Sequence, residues 1–126
     1  MATTTPIEET SVHRSRTWRA TAGSGVALLL LVTVHMVAHH FVVEEVGGLR
    51  TYAQVLDYVA NPVIFVIECL FLVVVTTHAM LGLRSVLFDF GLSTRAKRLV
   101  ARGLLMLGIV TVAYGFMLLG VLASRA

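Results

Sequence analysis

Three long stretches of this 126-residue chain are almost free of charged side chains. Residues 20–43 and 103–124 contain no Asp, Glu, Lys or Arg, and residues 61–83 contain only Glu68. Each stretch has at least 22 residues. At about 1.5 Å per residue, a helix of this length crosses the ~30 Å hydrocarbon core of a bilayer. The pattern predicts an all-α integral membrane protein with three transmembrane helices, over about residues 21–43, 62–88 and 96–122.

The segments outside these helices are polar and short. Residues 1–19 are predicted to form a cytoplasmic N-terminal arm, flexible or bound to a partner, and residues 20–126 a three-helix membrane anchor. Residues 49–59 tolerate a helix and predict a short interfacial one. Asn61 and Pro62 predict a break followed by the start of the second helix, because proline fits a first helical turn.

Composition narrows the class of protein further. Only 13% of the residues are charged and 57% are hydrophobic, whereas about a quarter of a soluble domain is charged. Disorder and a secreted enzyme are thereby disfavoured. The first apolar stretch is too long for a signal peptide, and Cys69 has no second cysteine with which to form an internal disulfide.

Charge is distributed unevenly among the connections. Residues 84–102 carry five basic side chains against one acidic, and residues 44–61 carry one basic side chain against three acidic. Basic residues flank the cytoplasmic side of membrane helices. The N-terminus and the second connection are therefore predicted inside and the C-terminus outside, in a multi-pass protein of the cell inner (cytoplasmic) membrane. The net charge of +3 is explained by sidedness, and no nucleic-acid partner is expected.

Ionisable side chains inside membrane helices are costly and often functional. The chain places five such residues in or beside its apolar stretches: His35, His39, His40, Glu68 and His78. Any one histidine here has the alternative of a simple hydrogen bond to a neighbouring helix. His39 and His40 are predicted at the interface. Glu68 is predicted either to accept a hydrogen bond from His35 or His39 or to take up protons.

The second helix carries a set of polar and small residues on the face of His78. At 100° per residue, Gly82, Ser85 and Asp89 all lie within about 40° of His78. A neutral imidazole is a good iron ligand, a glycine one turn away leaves space for a flat macrocycle, and Arg84 could pair with a haem propionate. The face predicts a haem-b site. The alternative is a small-residue packing face with the Arg84 side chain extending to the interface.

The motif His78-x3-Gly82-x-Arg84-x4-Asp89, at the end of the second of three helices, resembles the membrane anchor subunits of succinate dehydrogenase (complex II) and related fumarate reductases. The resemblance implies that His78 ligates haem b and that the segment through Asp89 lies beside a quinone pocket. It also implies a sister anchor subunit, an iron–sulfur subunit and a flavoprotein subunit as partners. The D-type anchor is favoured over the C-type, because the signature that precedes the first helix in C subunits is missing. Phe90 stands where many D subunits have a tyrosine and lacks a hydroxyl for quinone.

His35 and His78 are not expected to share one iron. His35 lies 17 residues after Trp18, about 25 Å from the inner interface, whereas His78 is only about 9 Å outward of Arg84. The second ligand of a haem on His78 would then come from the sister anchor. His35 would be free or would bind a second, outer haem, with His39 as the competing ligand.

These observations predict a subunit with no complete catalytic site of its own. It would bind one or two haem b groups, help form the site of the substrate quinone and contact membrane lipid. The alternative function is a small transporter or channel subunit in which Glu68 and the histidines relay protons.

Overall fold

A computed structural model describes residues 8–41 and 51–126, with side chains in the first range described for residues 16–40. Its helices are α1 (Glu8–Phe41), α2 (Tyr52–Ala60), α3 (Pro62–Asp89) and α4 (Thr94–Ala123). Three segments are long and apolar enough to cross a membrane: Arg16–His40, Pro62–Asp89 and Thr94–Ala123. The prediction of an all-helical protein with three membrane-spanning helices is confirmed.

The first helix begins earlier than the sequence pattern indicates. Residues 8–19 of the expected arm belong to α1, which has 34 residues. No proline or glycine interrupts residues 8–22. The charge that ends the apolar stretch therefore does not mark the start of the helix. The predicted end of the first helix at residue 43 falls outside the described residues.

The short helix α2 and the start of α3 follow from side-chain caps. Thr51 and Gln54 form a reciprocal capping box, in which Thr51 Oγ1 accepts from Gln54 N at 3.3 Å and Gln54 Oε1 accepts from Thr51 N at 2.9 Å. Asn61 then ends α2, and its Oδ1 accepts from Val63 N at 3.0 Å to begin α3. The predicted short helix is present over Tyr52–Ala60, and its place at the interface stays a prediction.

Helix α3 is central in the described part of the chain. It packs against α1 on one side and α4 on the other, and α2 covers one end of α3 and α4. In α4, Gly108 lies beside Met80 of α3, with 3.3 Å between its ideal Cβ position and Met80 Cγ, and Gly115 lies directly against Leu72. These two glycines permit close packing, as small residues do in membrane helices.

Most of the apolar surface remains uncovered by the chain itself. Among the described residues only five side chains are buried: Tyr58, Val59, Ile64, Leu104 and Thr76. Three of them, Tyr58, Val59 and Ile64, form one cluster where α2 meets α3 and α4. A soluble domain would not leave so many large apolar side chains exposed. Lipid or partner subunits must cover the rest.

Candidate functional site

His78 lies between α3 and α1. Its Nδ1 is 3.0 Å from the hydroxyl oxygen of Ser24 in α1. The next residue, Gly25, approaches the same ring: a Cβ atom there would lie 3.3 Å from His78 Cε1. Ser24 therefore holds one nitrogen of the imidazole, and Gly25 leaves room for the ring between the two helices.

The other residues on the His78 face stay accessible. No atom outside the helix backbone lies within 4 Å of the position that a Cβ on Gly82 would take. Ser85 and Asp89 are exposed, and Phe90 is 75% exposed at the end of α3. The face that the sequence predicts beside His78 is thus open to a macrocycle, a quinone or another subunit.

Arg84 lies on a different face of α3 from His78. Six residues of helix rotate it by about 120°, and it lines a groove of about 690 Å³ between α3 and α4 that is otherwise almost entirely apolar. Its guanidinium carbon lies 4.8 Å from the centre of the Phe88 ring. The buried Nε atom has no hydrogen-bond partner among the described residues. The structure therefore does not bring Arg84 to the imidazole of His78.

A second polar cluster surrounds Glu68 at the α2 end of the bundle. His35 Nδ1 lies 2.7 Å from Glu68 Oε1 and 3.0 Å from Oε2, and the Tyr58 hydroxyl donates to Oε1 at 2.7 Å. His39 Nε2 is 3.8 Å from Oε1. Of the alternatives predicted for Glu68, the structure has the hydrogen bond with His35.

Aromatic rings enclose this cluster. His35 stacks on Phe71 with 4.8 Å between ring centres and lies 4.2 Å from the ring of His39. His39 in turn contacts Tyr58 at 4.4 Å. Ligand atoms of His35, His39 and Glu68 lie within 4.8 Å of one another, and two imidazoles with a carboxylate form a donor set suited to several transition metals.

The two histidine sites lie at different levels of the bundle. Ten residues of α3 separate Glu68, which holds His35, from His78, or about 15 Å along the helix. Two axial nitrogens of one haem are only about 4 Å apart, by analogy with other metal–histidine bonds. Within one chain, His35 and His78 therefore cannot ligate the same iron, in agreement with the depth argument from the sequence.

The sequence pattern by itself indicates no role for Ser24 or Tyr58. Ser24 carries a hydroxyl within an apolar span. Such a hydroxyl commonly bonds only the backbone of its own helix. Tyr58 lies outside the apolar stretches and reaches Glu68 only because α2 folds back over α3. The one signal available was for Ser24, a polar side chain within an otherwise apolar span.

The family model for the succinate dehydrogenase/fumarate reductase transmembrane subunit matches residues 9–117. A succinate dehydrogenase hydrophobic membrane anchor subunit of Archaeoglobus fulgidus is 32% identical over 109 residues, covering 86% of this chain and 91% of the relative. A protein of the same name from Thermoplasma acidophilum is 26% identical over 118 residues, covering 94% of this chain and 91% of the relative.

No solved structure gives a significant match to the chain. The expected D-type anchor is consistent with the names of both relatives. The family match covers more than half of the chain and includes α3 with His78, Gly82, Arg84 and Asp89. It also favours an anchor over the transporter or channel alternative. This chain belongs to the transmembrane subunit family of succinate dehydrogenases and fumarate reductases.

Proposed function

We propose that the chain is a haem-b-binding anchor of a succinate:quinone oxidoreductase in the cell inner (cytoplasmic) membrane. It would hold the iron–sulfur and flavoprotein subunits at the membrane and form part of the quinone site. The observation that carries the proposal is His78, held at Nδ1 between two membrane helices beside an open glycine face.

The residues around His78 fit a haem. Imidazole is a common axial ligand of haem iron, and the open surface at Gly82 leaves room for a flat ring. Since His35 is about 15 Å away along the bundle, a second protein ligand would come from the sister anchor. Bound haem b would supply one-electron transfer at its iron. Arg84 lies on another face of α3 and does not reach the imidazole, so it would act only at the edge of the macrocycle, as the cation for a propionate.

Quinone would bind near the end of α3. Ser85, Asp89 and Phe90 are exposed there, at the end that the charge pattern predicts to be cytoplasmic. Asp89 and Ser85 offer polar groups to a quinone oxygen or to a proton, whereas Phe90 offers only an apolar ring. Electrons arriving from the iron–sulfur subunit would reach this end first.

The basic segment at the start of α4 would dock the iron–sulfur subunit or anionic lipid. Residues 95–102 hold four cationic side chains and no acidic one. Arg95, Arg98 and Arg102 are exposed and so accessible to a negatively charged surface.

Substitution of His78 tests the proposed function. We expect His78→Ala to lose the low-spin haem of the inner site, because alanine offers no ligand and leaves an apolar gap. Visible and electron paramagnetic resonance spectra of the purified complex, normalised to bound flavin, measure this. His40→Ala, which removes an exposed histidine of α1, is the matched control. An unchanged low-spin spectrum in the His78→Ala complex would exclude His78 as a ligand.

A further inference from the structure

The hydroxyl of Ser24 takes part in two hydrogen bonds. Its oxygen lies 2.9 Å from the carbonyl oxygen of Thr21, one turn earlier in α1, and 3.0 Å from His78 Nδ1 in α3. A hydroxyl has one proton to donate. A carbonyl oxygen can only accept, so the bond to Thr21 uses the proton of Ser24.

This assignment determines the tautomer of His78. With its proton given to Thr21, the Ser24 oxygen can only accept from His78, and Nδ1 must carry the imidazole hydrogen. In a neutral imidazole the other nitrogen, Nε2, then has the free electron pair. Nε2 is therefore the atom available to an iron.

We infer that Ser24 is a positioning residue that holds His78 in its iron-ligating tautomer. The inference rests on the proposed haem at His78. It assigns the residue that accepts the second N–H of this histidine. Metal-bound histidines commonly donate their second N–H to an acceptor that fixes tautomer and ring orientation. Here the acceptor is a neutral hydroxyl on the neighbouring membrane helix.

The backbone around Ser24 supports this role. The bond to Thr21 turns the Ser24 hydroxyl oxygen to present a lone pair to α3. Gly25 leaves 3.3 Å between its ideal Cβ position and His78 Cε1, so the ring is confined without being displaced. Rotation of the imidazole would lose the hydrogen bond, and a larger residue at position 25 would press on the ring.

Loss of the Ser24 hydroxyl leaves two outcomes for His78. Either Nδ1–H stays without a partner in an apolar environment, or the proton moves to Nε2 and competes with the iron. Both weaken haem binding, and removal of such partners typically weakens metal binding by about 10- to 100-fold. Where haem stays bound, the imidazole donates less electron density, so the ferric state is less stabilised and the reduction potential rises.

A pair of nearly isosteric variants isolates the hydroxyl. Ser24→Thr keeps an oxygen that can bond a carbonyl of the preceding turn, whereas Ser24→Val has the same branched shape without it. We expect the rate of haem transfer from the assembled, purified complex to excess apomyoglobin to rise by about 10-fold or more in Ser24→Val. Ser24→Thr should stay close to the unmodified complex. A redox titration should show a higher haem potential only in the valine variant.

Thr33→Ala is the matched control on the same helix. Thr33 is exposed, and its hydroxyl bonds the carbonyl of Leu29 at 2.8 Å without reaching a histidine. Equal haem loss and equal potential in the valine and threonine variants would overturn the role of Ser24, while His78 would still stand as the ligand. Retention of the low-spin haem in His78→Ala would instead overturn the proposed function. If Ser24→Val does not assemble, Ser24→Ala gives the same comparison with a smaller side chain.

Discussion

At the scale of single residues, the histidines and Glu68 within the membrane-spanning part are paired across helices, whereas hydroxyls such as that of Thr33 bond their own helix. Ser24 holds His78, and Glu68 holds His35 and receives the Tyr58 hydroxyl. Unpaired polar groups are expensive in a bilayer, which accounts for these pairs whether or not a cofactor is bound. Arg84 Nε is the exception among the described side chains.

The Arg84 side chain gives a prediction about haem potential. Arg84→Leu should retain haem and lower its reduction potential, because loss of a nearby positive charge favours the more positive ferric state. Redox titration of the purified complex measures the shift. Arg125→Leu removes an exposed cation after the end of α4, outside the basic segment, and should leave the potential unchanged. Equal potentials in the Arg84→Leu and unmodified complexes would rule out a propionate pair.

Tyr58 offers a second test at this scale. Tyr58→Phe removes one donor to Glu68 and should lower the stability of the complex by about 1 kcal/mol. Tyr114→Phe is the control, since Tyr114 is 59% exposed. Denaturant unfolding of the purified complex would compare them. A double-mutant cycle with Glu68→Leu, which removes the acceptor, should show coupling for Tyr58 and none for Tyr114, and absence of coupling would contradict the bond.

At the scale of elements, small residues let neighbouring helices approach each other closely. Gly25 lets α1 approach the imidazole of His78, and Gly108 and Gly115 let α4 approach α3. The glycines of α4 are not equivalent, however. Gly103 and Gly120 have no neighbouring atom within 4 Å of an added Cβ, so their faces remain open to lipid or to a partner.

This difference predicts opposite effects of alanine along α4. Gly115→Ala places a methyl group against Leu72 and should destabilise the α3–α4 pair by about 1–3 kcal/mol. Gly103→Ala meets open space and should stabilise the helix by up to about 1 kcal/mol. Unfolding of the complex in detergent and denaturant would rank the two variants. Equal stability would contradict the close packing at Gly115.

A second haem on α1 is a further prediction at the scale of elements. The Nδ1 atom of His35 bonds Glu68. Its Nε2 atom is left to ligate an iron at a separate level, on the outer side of the His78 site. The carboxylate and the acidic connection nearby should give that haem the lower potential. Pyridine haemochrome assays per flavin should give two haems, falling to one in His35→Ala but not in His39→Ala. A ratio of one in the unmodified complex would exclude the second haem.

At the scale of the whole molecule, the fold is incomplete without neighbours. α3 has α1 and α4 beside it, yet most large apolar side chains of the spans are exposed. An anchor that assembles with a sister subunit would cover part of that surface, and lipid the remainder. The open His78 face and the exposed end of α3 are accordingly the surfaces at which we expect the partner subunits.

The predicted orientation is tested at this scale. Thr94→Cys lies at the start of α4, beside the basic segment, and should be shielded from an impermeant thiol reagent in intact cells but labelled after permeabilisation. Ala126→Cys at the opposite end should be labelled in intact cells. The native Cys69 lies within the α3 span and provides the background in the unmodified chain. Labelling of Thr94→Cys in intact cells would reverse the orientation.

The sequence by itself determined the membrane class, the three spans, the break at Asn61 and the separate levels of His35 and His78. These properties depend on local hydropathy, caps and helical rise, which neighbouring residues decide. The rotation of each helix and the folding of α2 over α3 were decided only in the tertiary structure. Because α1 and α3 are apolar on nearly every side, their sequence does not indicate which face meets which helix. Ser24 therefore emerged as the partner of His78, and Tyr58 as a partner of Glu68, only once the helices were packed.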